Sequence, residues 1–353
     1  MSDHPAILVV GAGTVGARTT RELLGVGTDG RSAVGSVALA GRRPGRLERL
    51  AASFGSSVTM VDVSERPIDV ATADVVVVTR AAGDQLEVAR SALAAGCHVV
   101  CTTDDLDEVR GLLELDELAR SAGRTVVVGA AMAPGLSCLL ARHAASLLDT
   151  VDEIHVARAG AGGPSCARQR RRALRGSAIE WRDGEWARRP GFSGRELVWF
   201  PDPTGGSDCY RAELADPLLL VDAFPGLVRA TARLAASRVD RVTVPLPMLI
   251  GPPVEGAPGA IRVEVRGTLD GARHDVVYGA FDRPSVATAA VAAVVAVALG
   301  AGDAGLEPGA GGLARVSDAR PLLRELARRG VRAAVFEGSR DFGVAEDLDD
   351  RVD

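Results

Sequence analysis

The stretch Ala6 to Leu24, AILVVGAGTVGARTTRELL, constrains this chain more than any other. Ile7 to Val10 read as a buried strand, glycines follow at 11, 13 and 16, and from Val15 the spacing is helical with Leu23 and Leu24 inward. A G-x-G-x-x-G set directly between strand and helix is a dinucleotide fingerprint. Gly11 permits the tight turn, Gly13 lets backbone approach a pyrophosphate, and Gly16 lets helix pack on strand. Thr14 and Val15 open the helix, whose free N–H groups suit phosphate.

Strands and helices keep alternating. A second strand, Ser36 to Ala40, ends in Gly41-Arg42-Arg43, where an NAD site carries an acidic residue for the ribose 2′-OH. Arginines there accommodate a 2′-phosphate, so Arg42 and Arg43 predict NADP. Pro44 to Phe54 reads as a helix, and Val58 to Val61 as a strand that brings Asp62 near the adenine. The valine-rich strand Asp74 to Thr79 has the composition of a parallel strand covered on both faces. A helix (84–95), a strand (97–101), a helix (106–121) and a strand (125–128) follow. Ligands lie beyond the carboxyl ends of such strands, so Thr79, Arg80, Cys101 and Thr102 are placed beside the cofactor and Thr103 beside the substrate. The crossover rules give an α/β class, a Rossmann-type doubly wound parallel sheet of order 3-2-1-4-5-6.

The opening fingerprint, the VVCTTDD segment (Val99 to Asp105), the ARSAGRT ending (Ala119 to Thr125) and the Pro134-Gly135 turn together resemble the saccharopine-dehydrogenase-like oxidoreductases. The resemblance covers the first 150 residues and, more faintly, the C-terminal return. It implies an NAD(P)-binding oxidoreductase and, through it alone, an amino-acid-derived imine as substrate.

From Val151 hairpins replace the alternation. Asp183-Gly184 and Asp270-Gly271 are type I′ turn signals between alternating strands. Strands are expected over 152–158, 195–200, 241–246, 261–268 and 274–281, and helices over 217–224 and 227–236. This is a second, largely antiparallel α+β domain. The division expected is 1–150 for an NADP-binding Rossmann domain, 151–285 for substrate and dimerisation, 286–343 for helices and a strand (331–336) returning to the first domain, and 344–353 for an acidic, disordered tail. The Ala/Val-rich run Val286 to Leu299 reads as a buried helix, too short and too weakly apolar to span a membrane.

The absences narrow the chemistry. The chain has no lysine, which removes Schiff-base lysines, Tyr-Lys pairs and lysine general bases. A net charge of −5 argues against nucleic acid or a membrane surface as partner. Five cysteines, an odd number without a C-x-x-C pair, suit a reducing, cytoplasmic setting, and no metal site is suggested. The first strand begins within a few residues of Met1, leaving no room for a signal peptide.

Gly160 to Arg172 is the most unusual second-domain stretch, a glycine-rich turn opening a helix with four arginines. Helix N–H groups and guanidinium forks suit a carboxylate, and Arg168 and Arg172, sharing a face, are its candidates against the alternative of a solvated basic helix. For proton transfer the sequence offers Tyr210 as donor and Asp208 as acceptor or amine ligand. His143 reads as a core histidine and His155 as a weak pocket candidate. The function expected is an NADPH-dependent, homodimeric oxidoreductase of a small carboxylate-bearing substrate. A sensor or scaffold that binds NADP(H) without turnover, and a non-redox enzyme recycling a hydride through NADP, are the alternatives.

Overall fold

The computed structural model describes residues 4–25, 33–62, 70, 73–80, 83–246, 248 and 251–336. The acidic tail lies outside them. The first domain runs β1 (Ala6–Val10), α1 (Thr14–Leu23), β2 (Ser36–Gly41), α2 (Pro44–Ala52), β3 (Thr59–Asp62), β4 (Val75–Val78), α3 (Gln85–Ala94), β5 (His98–Cys101), α4 (Leu106–Leu113), α5 (Asp116–Ser121), β6 (Thr125–Val128) and α6 (Leu136–Ala145). All pairings between its strands are parallel, and their order is 3-2-1-4-5-6 as expected. Val75 to Val78 and Val126 to Val128 are fully buried, which is why these strands need no polar face.

The second domain runs β7 (Thr150–Ala159), α7 (Pro164–Arg175), β8 (Ser177–Arg182), β9 (Glu185–Pro190), β10 (Glu196–Phe200), β11 (Gly205–Arg211), α8 (Asp216–Ala223), β12 (Arg229–Ala235), α9 (Arg238–Thr243), β13 (Gly259–Leu269) and β14 (Ala272–Asp282). Then come α10 (Pro284–Ala301), β15 (Gly309–Gly311), α11 (Arg320–Arg328) and β16 (Arg332–Val335). The second sheet is largely antiparallel, with β7 and β12 its parallel pair. Both Asp-Gly turns form as expected, with positive φ at Asp183, Gly184, Asp270 and Gly271.

Four expectations are corrected. The helix expected over 227–236 is instead the strand β12 (Arg229–Ala235): Ala230, Ala232 and Leu234 point to one buried face, and Arg229, Thr231 and Arg233 alternate with them, the two arginines only partly buried. Residues 238–243 form a helix where a strand was expected, because Ser237 and Asp240 make a capping box. The 331–336 strand does not return to the first sheet; β16 pairs with β14, and it is β15 that joins β6 as a seventh parallel strand. Lastly, α10 is 18 residues long and apolar enough by length and composition to cross a membrane, yet most of it is buried, packed against α1 and the first sheet.

Candidate active site

A cleft of about 680 Å³ opens where the carboxyl ends of β1, β2, β4 and β5 face α7 and the end of β7. Gly11, Gly13, Thr14, Val15, Arg42, Arg43, Thr79, Arg80, Thr102 and Thr103 line it from the first domain. Arg168 and Arg172 line it from the second. The structure therefore gathers most of the sequence candidates into one space.

The glycine loop has the shape of a phosphate cradle. A side chain at Gly11, where φ is +130°, would lie 2.7 Å from Thr79 Oγ1, and one at Gly16 would overlap the Gly11 carbonyl oxygen. Thr79 Oγ1 sits 3.1 Å from that same oxygen and locks the turn to β4. Around Gly13 there is open space instead: a Cβ there would meet no atom within 4 Å. Gly13 is also the N-cap of α1 and offers no side-chain cap, so the first N–H groups face the cleft. Arg46, in the first turn of α2, joins Arg42 and Arg43 on the rim. Arg42 reaches across to Asp84 at 3.0 Å. Asp62 ends β3 in register with Gly41, while its side chain lies outside the described residues.

At the other end, Asp104 and Arg158 face each other across the domains. Arg158 Nη1 donates to Asp104 Oδ2 at 3.0 Å and to the Ala133 carbonyl at 2.7 Å. Burial works against the guanidinium charge, but Asp104 and the buried Asp216 outweigh it and hold the pKa above its usual value. Asp216 is fully buried; its Oδ1 accepts from Ser137 at 2.8 Å and its Oδ2 has no partner among the described residues. Burial raises its carboxyl pKa, with the Arg158 charge opposing that.

The helix α7 distributes its arginines. Arg170 forms a fork with Asp240 at 3.0 and 3.1 Å and bonds the Ala235 carbonyl, and Arg171 donates to the carbonyls at the end of α9. Arg168 bonds Ser165 at 3.0 Å, and Arg172 uses Nη1 on Asp105 at 3.1 Å. Among the described residues, both keep guanidinium nitrogens free for an anion. The α7 N-terminus, in contrast, is roofed: a side chain at Gly163 would run into the Val254 carbonyl.

Four candidates lie elsewhere. Tyr210 is buried against Phe192, with ring centroids 5.6 Å apart, and Asp208 pairs with Arg195 at 3.0 Å; neither lines the cleft. Cys101 is fully buried in the core, where burial pushes its thiol pKa far up, so it is neither nucleophile nor cofactor contact. His155 sits on the outer face of the second sheet, bonded to Thr231 at 2.8 Å and Glu153 at 2.9 Å. His143 packs on Tyr278 with ring centroids 5.3 Å apart. Sequence reasoning missed Asp104, Arg158 and Arg46. Asp104 follows Thr103 at a strand end and Arg46 lies one turn after Arg43, so both carried the signal that marked their neighbours.

Residues 6–130 match the family described as oxidoreductase family, NAD-binding Rossmann fold. No curated protein sequence matches the chain. Among solved structures, saccharopine dehydrogenase (L-Glu forming) from Saccharomyces cerevisiae is 15% identical with a TM-score of 0.64, covering 94% of this chain and 100% of that one. DAP dehydrogenase of C. glutamicum in complex with DAP is 17% identical with a TM-score of 0.52, covering 99% of both chains. Amine dehydrogenase from Mycobacterium smegmatis is 15% identical with a TM-score of 0.52, covering 90% of this chain and 97% of that one. Such identities speak for a shared fold. Residues 6–130 thus match the family described as oxidoreductase, NAD-binding Rossmann fold, and the chain as a whole has a fold similar to that of saccharopine dehydrogenase.

Proposed function

We propose that the protein is an NADPH-dependent, cytoplasmic and homodimeric oxidoreductase that makes or breaks the C–N bond of a small, carboxylate-bearing, amino-acid-derived substrate. The observation that carries this reading is the shared cleft: an uncapped helix N-terminus with arginines on one wall, and free guanidinium nitrogens on the other. The open space at Gly13 fits a pyrophosphate, and Arg42, Arg43 and Arg46 fit a 2′-phosphate. When bound, the nicotinamide supplies the hydride chemistry. Arg168 and Arg172 hold the substrate carboxylate. Asp104, the carboxylate lining the cleft among the described residues, takes the role expected of Asp208: it receives or returns the proton on nitrogen, or binds the amine, while Arg158 orients it. The fold neighbours, which are named as saccharopine, DAP and amine dehydrogenases, support the same substrate class.

The test is NADPH and NADH titration followed by a panel of amino-acid and keto-acid pairs, read by reduced-nicotinamide absorbance. Turnover of at least one pair with NADPH supports the reading, and tight NADPH binding with no turnover over a broad panel replaces it with a sensor. Replacing Arg42 and Arg43 together by alanine is expected to cost NADPH about tenfold in affinity relative to NADH; an unchanged ratio refutes the 2′-phosphate assignment. Light scattering of the purified protein decides the homodimer.

A further inference from the structure

Asp105 serves both domains with one carboxylate. It is the N-cap of α4, where Oδ1 accepts the Glu108 N–H at 3.1 Å. Its Oδ2 accepts from two side chains of α7, Gln169 Nε2 at 3.2 Å and Arg172 Nη1 at 3.1 Å. Asp105 itself is only 8% exposed, while the Arg172 side chain that reaches it is largely exposed. Glu108 continues the connection, accepting from the Gly83 and Gln85 N–H groups at 3.0 and 2.7 Å. Gln85 then bonds the Thr102 N–H at 3.1 Å and the Arg80 carbonyl at 2.7 Å. A line of buried polar groups thus runs from α7 to residues beside the cofactor cleft.

We propose that Asp105 is a positioning residue that fixes α7 onto the first domain, and so sets where Arg168 and Arg172 meet a substrate carboxylate. The identity of the anion rests on the function proposed above; the attachment of α7 does not. Arg172 bonds Asp105 through Nη1 alone, and its remaining nitrogens have no partner among the described residues. Asp105 therefore aims this arginine without saturating it.

Asp105→Asn separates the two duties. Asparagine caps a helix as well as aspartate, but its amide nitrogen would then face the donors of Gln169 and Arg172. Hydrogen exchange in the full-length protein should accelerate about tenfold across residues 164–175 while residues 106–113 keep their protection, as expected for loss of a charge-assisted bond. The KM for the carboxylate substrate should rise by about the same factor with NADPH affinity unchanged and kcat less affected. Gln169→Leu, which removes one donor and keeps the charge pair, should give a smaller change of the same sign. Unchanged exchange in α7, or equal acceleration in α4, overturns the attachment. Faster exchange in α7 with an unchanged KM overturns the positioning role. Wild-type protein inactive on every acid refutes the proposed function instead, and the exchange data still decide the attachment.

Discussion

The cleft is bounded by two glycine-rich loops that look alike in sequence and differ in what their glycines are for. Gly11 to Gly16 is tight where the backbone folds on itself, at Gly11 and Gly16, and open at Gly13 where a ligand has room. Gly160 to Gly163 has no such opening. A side chain at Gly160 would lie 2.5 Å from Gly259 Cα, one at Gly162 would meet Cys166 Cβ at 3.1 Å, and one at Gly163 would strike Val254. Gly160 and Gly163 make room for residues 254–259 crossing over them, and Gly162 for Cys166 of the helix that follows. Composition alone cannot separate the two cases; both place glycine before a helix, and the difference lies in which segment passes overhead.

Alanine substitutions along the two loops break this comparison if it is wrong. The largest effect is expected for Gly16→Ala, which forces α1 away from the turn and should cost about 3 kcal/mol in thermal unfolding together with most NADPH binding. Next, Gly163→Ala should destabilise by about 1–3 kcal/mol, since backbone must shift, and leave NADPH affinity nearly as it was. Gly13→Ala should do the reverse, leaving the melting temperature in place and weakening NADPH about tenfold by crowding the pyrophosphate. A Gly13 variant that binds normally, or a Gly163 variant that does not, would dissolve the distinction.

The smallest effect concerns the sheets beneath the loops, one sealed by valines and the other carrying ions on its outer face. Burial depresses the His155 pKa, although its bond to Glu153 opposes this and Arg266 and Glu264 act in opposite senses nearby. A histidine with a depressed folded pKa stabilises above its unfolded pKa of about 6.5 and loses that contribution as pH falls through the folded value. Stability should therefore decline on acidification below about pH 6.5, and His155→Gln should flatten that decline in denaturant titrations across the same range. An unchanged slope would mean that other groups set the acid limit.

The same contrast explains what was legible in the sequence. The first sheet declared itself because Val75 to Val78 and Val126 to Val128 are covered on both faces and nothing polar interrupts them. β15 gave no sign, since Gly-Ala-Gly has no side-chain pattern and its pairing depends on β6 being near. In β12, alanine and arginine favour helix, and the alternation that decides the matter is carried by small side chains. The Ser237–Asp240 capping box was readable and outweighs the valines of α9, which are exposed. In the cleft, the glycines and the α7 arginines were legible as local motifs. The Asp104–Arg158 pair was not, because its partners are 54 positions apart and meet only once β7 is laid against the first domain.

β15 also limits how this protein can be taken apart. Gly309 to Gly311 completes a sheet whose other strands all come from the first 128 residues, and α10, which packs on α1, follows β14 of the second sheet. A fragment ending near residue 150 would lack a strand and the helix that covers its sheet, leaving the β6 edge free to pair with another chain. The second sheet in turn takes its edge strand β16 from the end of the chain, after β15, so the two sheets exchange strands and neither can be excised whole as one segment; recombination that exchanged substrate domains would need more than the one crossover that the sequence alone invites.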